Sequence, residues 1–525
     1  FRNVSFRTLL RLQICMGLFG LCTCCGMLAG CSFLASNSHS QINWLSYSGL
    51  TLAALMPFCL LSGAQYTVSV RLLSGLPGYE GARSASAGYV YDSAGMLAGF
   101  QIATFFLAIR LNTVESALLV LGVNLIAAVI LSFCRPEMKR TAVILTLSGM
   151  ILFTCAFAFR LPERIFQSII ETRTPSEKLE ELSDTEYSRL IVTSSSGQYN
   201  FYTNGYLEGT YPDYDESMEK RVHFALLLHP DPQKVFVMGG LTSGVLDEVL
   251  KYNPAEVVYG DTDPDYISMA LQYLEMSDGG KYSGVDFIVD DVRSYFQQTS
   301  ETYDVIILVP PSPATLAANR YYTREFFLLA EQTLEEGGLL VTGIPSSETY
   351  AGTNMKRLNS SILQALQSAF DNTLVIPGDE GILIASNGYD GWADLEQNIL
   401  ESYNERHLET NLIFPEYISY TLDSRRMEEA EENFEYDGLC ITNSDSFPSS
   451  MWYYSAVINE RENIPDYKIA SFFSGQPPLR LCFVFFLFLL LPVTIRFSSA
   501  VFSRKRTRKP FIGYIAFLSG MSGFS

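Results

Sequence analysis

The charges of this chain are partitioned, and the partition limits what it can fold into. Residues 1–160 carry 10 Lys/Arg and 4 Asp/Glu, residues 161–478 carry 19 and 52, and residues 479–525 carry 7 and none. The central block therefore has a net charge of −33, and the two apolar flanks carry +13 together. Flanks poor in acid and rich in apolar residues fit a membrane. A strongly acidic centre fits a solvated domain and excludes the basic footprint of nucleic-acid binding.

A membrane span needs about 20 mostly apolar residues. Five such runs precede the acidic block, over 9–34, 44–64, 87–109, 116–134 and 141–159, a sixth covers 480–496 and a seventh begins near Phe511. Arg2, Arg7 and Arg11 precede the first span, whereas the next loop, 36–43, has no Lys or Arg. The positive-inside rule then puts the N-terminus in the cytoplasm and, five spans later, the acidic block outside it. The multi-pass protein is expected in a plasma or inner membrane. Arg504, Lys505, Arg506, Arg508 and Lys509 follow the sixth span directly and fit the same rule. In the third span, Asp92 is a costly intramembrane carboxylate, and Gly95 and Gly99 are spaced for close helix packing. The chain opens without Met and stops inside an apolar run, so the span count is expected to be a minimum. The first apolar run is too long for a cleaved leader. Cys440 stands alone in the acidic block, so cysteine usage leaves the compartment open.

Within the block the pattern alternates. Strands are expected at 235–238, 256–259, 286–289, 305–308 and 339–343, with helices at 243–252, 264–274, 324–334 and 354–370 between them, and further strands at 373–376 and 381–385. Alternation of this kind predicts a doubly wound parallel sheet. Before it, the Tyr/Thr/Ser/Gly-rich stretch 190–211 has turn signals at Ser196-Gly197 and Asn204-Gly205, which predict a small β-hairpin unit. The expected layout is five spans over 1–160, a linker over 161–189, a β-hairpin subdomain over 190–229, a Rossmann-like domain over 230–475, and one complete and one partial span over 479–525.

Ligands of such sheets lie beyond the carboxyl ends of the strands. Three loops there are informative. Gly239, Gly240, Thr242 and Gly244 follow the first strand, where glycines let backbone approach a ligand closely. Asp261 and Asp263 follow the second, where a carboxylate can hold ribose hydroxyls. Asp290 and Asp291 follow the third, where an acceptor can meet an adenine amino group. In order, they point to an adenosine-containing ligand. No His or Cys spacing suggests a metal site, and the oligomeric state is not legible.

The run Pro232–Tyr252 (PQKVFVMGGLTSGVLDEVLKY), with Tyr303–Leu308 (YDVIIL), the Pro310–Pro313 loop and Asn319–Phe327 (NRYYTREFF), resembles the spermidine synthases, the polyamine aminopropyltransferases. Val222–Pro230 (VHFALLLHP), Thr442–Pro448 (TNSDSFP) and Gly88–Gly95 (GYVYDSAG) resemble the membrane-fused branch of that family. The resemblance implies a Rossmann-like, methyltransferase-type fold. It also implies aminopropyl transfer from decarboxylated S-adenosylmethionine to a polyamine or other small cation. By the same resemblance Gly239, Gly240 and Gly244 line the donor site, Asp261 holds the ribose and Asp290 the adenine, while His223 and Tyr322 stand toward the substrates. Of the nearby carboxylates Glu208, Asp213, Asp215 and Glu216 that could compensate for missing acids, Glu208 is taken as substrate-binding. The chain departs from the family at three points. The glycine loop carries Thr242 where the family has an amine-binding Asp. Val309 and Ser312 replace two Asp after the fourth strand, Ser312 at the position of the general base. A hydroxyl neither serves as that base near neutral pH nor balances an ammonium group. Two other readings follow: a catalytically degenerate adenosyl- or polyamine-binding domain coupled to a transporter-like membrane part, and a methyltransferase that uses S-adenosylmethionine itself.

Overall fold

The computed structural model describes residues 5–461, apart from short stretches at 38–43, 108–110, 112, 134–138, 162–163, 166, 169–176, 213–215, 277–278, 348–350, 390 and 393. The expected spans near 480–496 and 511, and the Arg504–Lys509 cluster, lie outside the described residues.

All five apolar runs of the N-terminal region are helical: Phe6–Asn37, Trp44–Leu73, Ala82–Ile102, Thr113–Phe133 and Lys139–Ala158. Three helices contain segments long and apolar enough to cross a membrane, namely Phe6–Cys31, Tyr47–Leu73 and Thr113–Phe133; Arg140–Ala156 is apolar but shorter. The Ala82–Ile102 helix, with Arg83 and Asp92, is not in that set, which differs from the span expected there. Its Gly95 and Gly99 have no neighbour close to where a Cβ would stand, so the expected packing seam is not made among the described residues. Other glycines bring the helices together instead. A Cβ on Gly17 would meet Leu121, one on Gly30 would meet Leu50, and one on Gly88 would meet Val70, all within 3 Å.

Four antiparallel strands form a small sheet in chain order: β1 (Lys178–Asp184), β2 (Arg189–Ser195), β3 (Gln198–Thr203) and β4 (Tyr206–Tyr211). Both expected turns are made. Ser196 and Gly197 have φ of 54° and 88°, and Asn204 and Gly205 have 53° and 84°, the positive pair that two-residue hairpins require. The boundaries read from the sequence need correction. The expected linker 161–189 contains β1, and 216–228, placed in the hairpin unit, is a helix. The acidic, weakly alternating Lys178–Asp184 segment has little of a strand's usual apolar signal.

The large sheet contains β5 (Lys234–Met238), β6 (Glu256–Asp261), β7 (Val285–Val289), β8 (Tyr303–Leu308), β9 (Leu334–Pro345), β10 (Asn372–Ile376) and β11 (Glu380–Ser386). Their order is β10-β11-β9-β8-β5-β6-β7. The first five are parallel, and β11 runs antiparallel to β9. This is a Rossmann-like, methyltransferase-type sheet. Alternate residues feed two cores, because both faces are covered. Val235, Val237, Val305 and Ile307 pack into one, with Phe236, Met238, Ile306 and Leu308 in the other. The helix Glu216–Leu228 is buried from Met218 onward, even at Glu219, Lys220 and Arg221. Glu219 accepts the backbone N–H groups of Asn411, Leu412 and Ile413 at 2.7, 3.0 and 3.2 Å, tying that helix to the loop before Pro415.

Candidate functional site

The chain direction of the crossovers reverses at β5, between β6 and β8, and open α/β sheets take their ligands in the crevice beyond the carboxyl ends of the strands at such a switch. The loop after β5 enters it through three left-handed glycines: Gly239, Gly240 and Gly244 have φ of 72°, 70° and 85°. A Cβ on Gly239 would stand 2.3 Å from the Val309 carbonyl oxygen, and one on Gly240 would stand 2.9 Å from Val309 Cγ1. The Val309 N–H donates to the Met238 carbonyl at 2.8 Å. Val309, where the family has an acid, thus packs on the loop and contributes no charge to it.

The small sheet is seated on the same loop. A Cβ on Gly209 of β4 would lie 2.2 Å from the Thr242 carbonyl oxygen. The Ser243 hydroxyl donates to the Glu208 carbonyl at 2.6 Å. Thr242 itself is buried, with its hydroxyl 3.2 Å from the Tyr266 hydroxyl. The Glu208 carboxylate accepts the Thr203 hydroxyl. Burial raises the Glu208 carboxyl above its ordinary range, and the charges of Asp261 and Asp263 push it the same way.

Asp261 ends β6 and accepts the Tyr259 hydroxyl at 3.2 Å and the Asp263 N–H at 3.0 Å. Burial raises this carboxyl too, against the lowering effect of those bonds. Asp290 follows β7; its N–H donates to the Asp261 carbonyl at 3.1 Å, and its exposed side chain accepts the Asp291 N–H at 2.7 Å. The structure therefore places Gly239, Gly240, Thr242, Gly244, Asp261 and Asp290 at the carboxyl ends of β5, β6 and β7, with Glu208 seated on the glycine loop.

Other residues singled out in the sequence serve the frame. Asp263 is buried and caps the helix Pro264–Leu274 by accepting the Asp265 and Tyr266 N–H groups, and it takes the Thr185 and Ser188 hydroxyls at 2.6 and 3.3 Å. Asp291 caps the helix Val292–Gln298 and pairs with Arg320 at 2.7 Å. Both carboxylates are already engaged. Tyr322 is buried and donates to the Pro310 carbonyl at 3.3 Å, so it braces the loop that carries Ser312. Ser312 is exposed on that loop. His223 does not reach the crevice. It is fully buried, with Nδ1 2.6 Å from the Tyr252 hydroxyl and Nε2 2.9 Å from Glu248. Those partners lie at the far end of the helix Val245–Leu250, which runs back from the glycine loop.

Three contributors were missed in the sequence. Tyr266 meets the buried Thr242 hydroxyl at 3.2 Å. Tyr321 carries the Arg320 guanidinium at 5.5 Å from its ring. Arg221, almost wholly buried, donates from Nη1 to the Leu308 carbonyl at 3.1 Å and pairs with Glu380, beneath the loop after β8. Tyr321 stands beside Tyr322 in a run already singled out; Tyr266 and Arg221 sit in helices whose apolar periodicity drew attention only to the core. Among the described residues no group of three or more His, Cys, Asp or Glu is placed to hold a metal ion.

Residues 214–378 match the spermine/spermidine synthase domain. The chain is 27% identical over 293 residues to a polyamine aminopropyltransferase of Oceanobacillus iheyensis, covering 51% of this chain and 56% of that one. It is 28% identical over 253 residues to a spermidine synthase of Schizosaccharomyces pombe, covering 45% of this chain and 83% of the other. The chain therefore spans little more than half the length of the first of these relatives. Among solved structures, spermidine synthase from Thermotoga maritima aligns with a TM-score of 0.40 at 19% identity, over 49% of this chain and 87% of that one.

Proposed function

For a chain that carries a spermine/spermidine synthase domain, we propose a membrane-integrated protein of aminopropyltransferase type. Its nucleoside site is kept and its acid–base machinery is altered. The acidic domain binds decarboxylated S-adenosylmethionine, and a polyamine is its cationic partner. What supports this reading is that β5 and β6 pair in parallel up to Met238 and Gly260, so that Asp261 follows alongside the left-handed glycines of the β5 loop at the topological switch of the sheet. Glycines allow backbone contact with the donor, and Asp261 accepts ribose hydroxyls. The net charge of −33 over residues 161–478 steers cations toward the domain.

In aminopropyl transfer the amine nitrogen attacks the carbon next to the sulfonium. The carbon–sulfur bond breaks, its electron pair stays on sulfur, and methylthioadenosine leaves. The amine must first lose a proton to a base. At the family's base position this chain has the Ser312 hydroxyl, and at the neighbouring acidic position it has Val309. Binding is therefore retained while transfer is slow.

Turnover of putrescine by the purified full chain, measured as methylthioadenosine release, tests this. Methylthioadenosine itself is expected to bind. The double change Val309→Asp with Ser312→Asp is expected to raise turnover by an order of magnitude or more, the range of a general base. Efficient turnover by the wild-type chain would overturn the reading of altered machinery, and failure to bind methylthioadenosine would overturn the nucleoside site. Retention in membranes after alkaline carbonate washing tests integration through helices such as Thr113–Phe133.

A further inference from the structure

We propose that Glu208 supplies the carboxylate that meets the donor's terminal ammonium, in place of the acid missing at position 242. This inference rests on the adenosyl-site reading above and adds a ligand class to it: an adenosyl sulfonium with a terminal amine and no carboxylate.

The placement is fixed by backbone and side chain together. Glu208 is pinned beside position 242 because Ser243 donates to its carbonyl and Gly209 lies directly on the Thr242 carbonyl. The Glu208 carboxylate is held on the small sheet by the Thr203 hydroxyl, and it lies close enough to Asp261 and Asp263 for their charges to act on it. A carboxylate on the neighbouring strand thus stands beside the loop that lacks one.

The site also lacks a cation of its own. Among the described residues neither Glu208 nor Asp261 has an ion-pair partner, although Asp184, Asp291 and Asp445 nearby in the fold are each paired with an arginine. Two part-buried carboxyls whose charges oppose one another are what an incoming ammonium relieves. A donor that kept its α-carboxylate would add a further negative charge to the same space. The site thus selects the decarboxylated nucleoside by charge, with Glu208 as the discriminating residue.

The test uses the full chain in detergent micelles and three probes: decarboxylated S-adenosylmethionine, S-adenosylmethionine and methylthioadenosine. The wild-type chain is expected to bind the decarboxylated donor at least tenfold more tightly than S-adenosylmethionine. Glu208→Gln keeps the size of the side chain. It is expected to weaken the decarboxylated donor about tenfold to a hundredfold, the range of a hydrogen bond to a charged group. Methylthioadenosine, which has no ammonium, should stay within about twofold by the same reasoning. Adding Thr242→Asp to Glu208→Gln should recover the lost selectivity. Equal weakening of all three probes by Glu208→Gln, or no weakening of any, overturns the role of Glu208 while leaving the nucleoside site standing. No binding of any probe by the wild-type chain removes the nucleoside site and this inference with it.

Discussion

Gly209→Ala is a sharp perturbation of the candidate site, because it adds one carbon at the joint between the two sheets. The added Cβ would stand 2.2 Å from the Thr242 carbonyl oxygen, 2.4 Å from its carbon and 2.8 Å from the Ser243 nitrogen. All three are backbone atoms, so no rotamer can yield. Ordinary contact begins near 3.4 Å, so strand and loop must separate by about 1.2 Å. Overpacking of this kind costs about 1–3 kcal/mol. A second effect is on the site. The moved atoms belong to the glycine loop itself, so a backbone contact to the nucleoside is lost with them, and a hydrogen bond is worth about 0.5–1.5 kcal/mol. Binding of methylthioadenosine, measured by titration alongside thermal melts, separates the two effects. Gly284→Ala is the control, since no atom lies within 4 Å of its Cβ position and its φ is not in the left-handed region. Gly209→Ala is expected to lower the melting temperature modestly and to cut nucleoside affinity up to about tenfold, while Gly284→Ala changes neither. Binding by Gly209→Ala equal to that of Gly284→Ala would refute the claim that β4 sets the shape of the glycine loop.

Two further outcomes are expected. Glu219→Ala removes the acceptor of three backbone N–H groups; water replaces the bond to exposed Asn411, so losing those to Leu412 and Ile413 should cost about 2–4 kcal/mol in chemical denaturation, and Glu219→Gln distinctly less. The raised carboxyls of Glu208 and Asp261 bind protons more tightly in the folded than in the unfolded chain, so ligand-free stability should fall as pH rises from the ordinary carboxylate range through their raised values. Melting curves across that window should flatten with Glu208→Gln, and an unchanged slope would count against the buried carboxyl pair.

Much of the large sheet was legible because its strands are short apolar runs stopped by Gly or Asp. Val235–Met238 and Val305–Leu308 are buried on both faces, and such strands need no alternation to be recognised. The hairpin turns were legible because Ser-Gly and Asn-Gly tolerate positive φ. The helices Leu395–Arg406 and Ser424–Phe434 were not singled out, since their acidic faces carry few apolar positions. The candidate site was half legible. Asp261 and Asp263 look alike in the sequence, but one ends a strand in the crevice and the other caps a helix. Only the third dimension separates an aspartate at a strand end from one that caps a helix and takes two further hydroxyls. His223 shows the same limit, because its partners at Glu248 and Tyr252 are brought to it by the return of a helix.

That capping aspartate has a mechanical meaning. The small and large sheets share no strand, yet Asp263 starts a helix of one and takes both hydroxyls of the β1–β2 turn from the other. The same turn leads directly into β2, where Arg189 reaches Thr113 at the head of an apolar helix at 3.1 Å. A single carboxylate is therefore a rivet: the floor beside Asp261, the small sheet and the foot of the helical bundle are fastened through one turn of chain, and none of them can tilt without pulling on the other two.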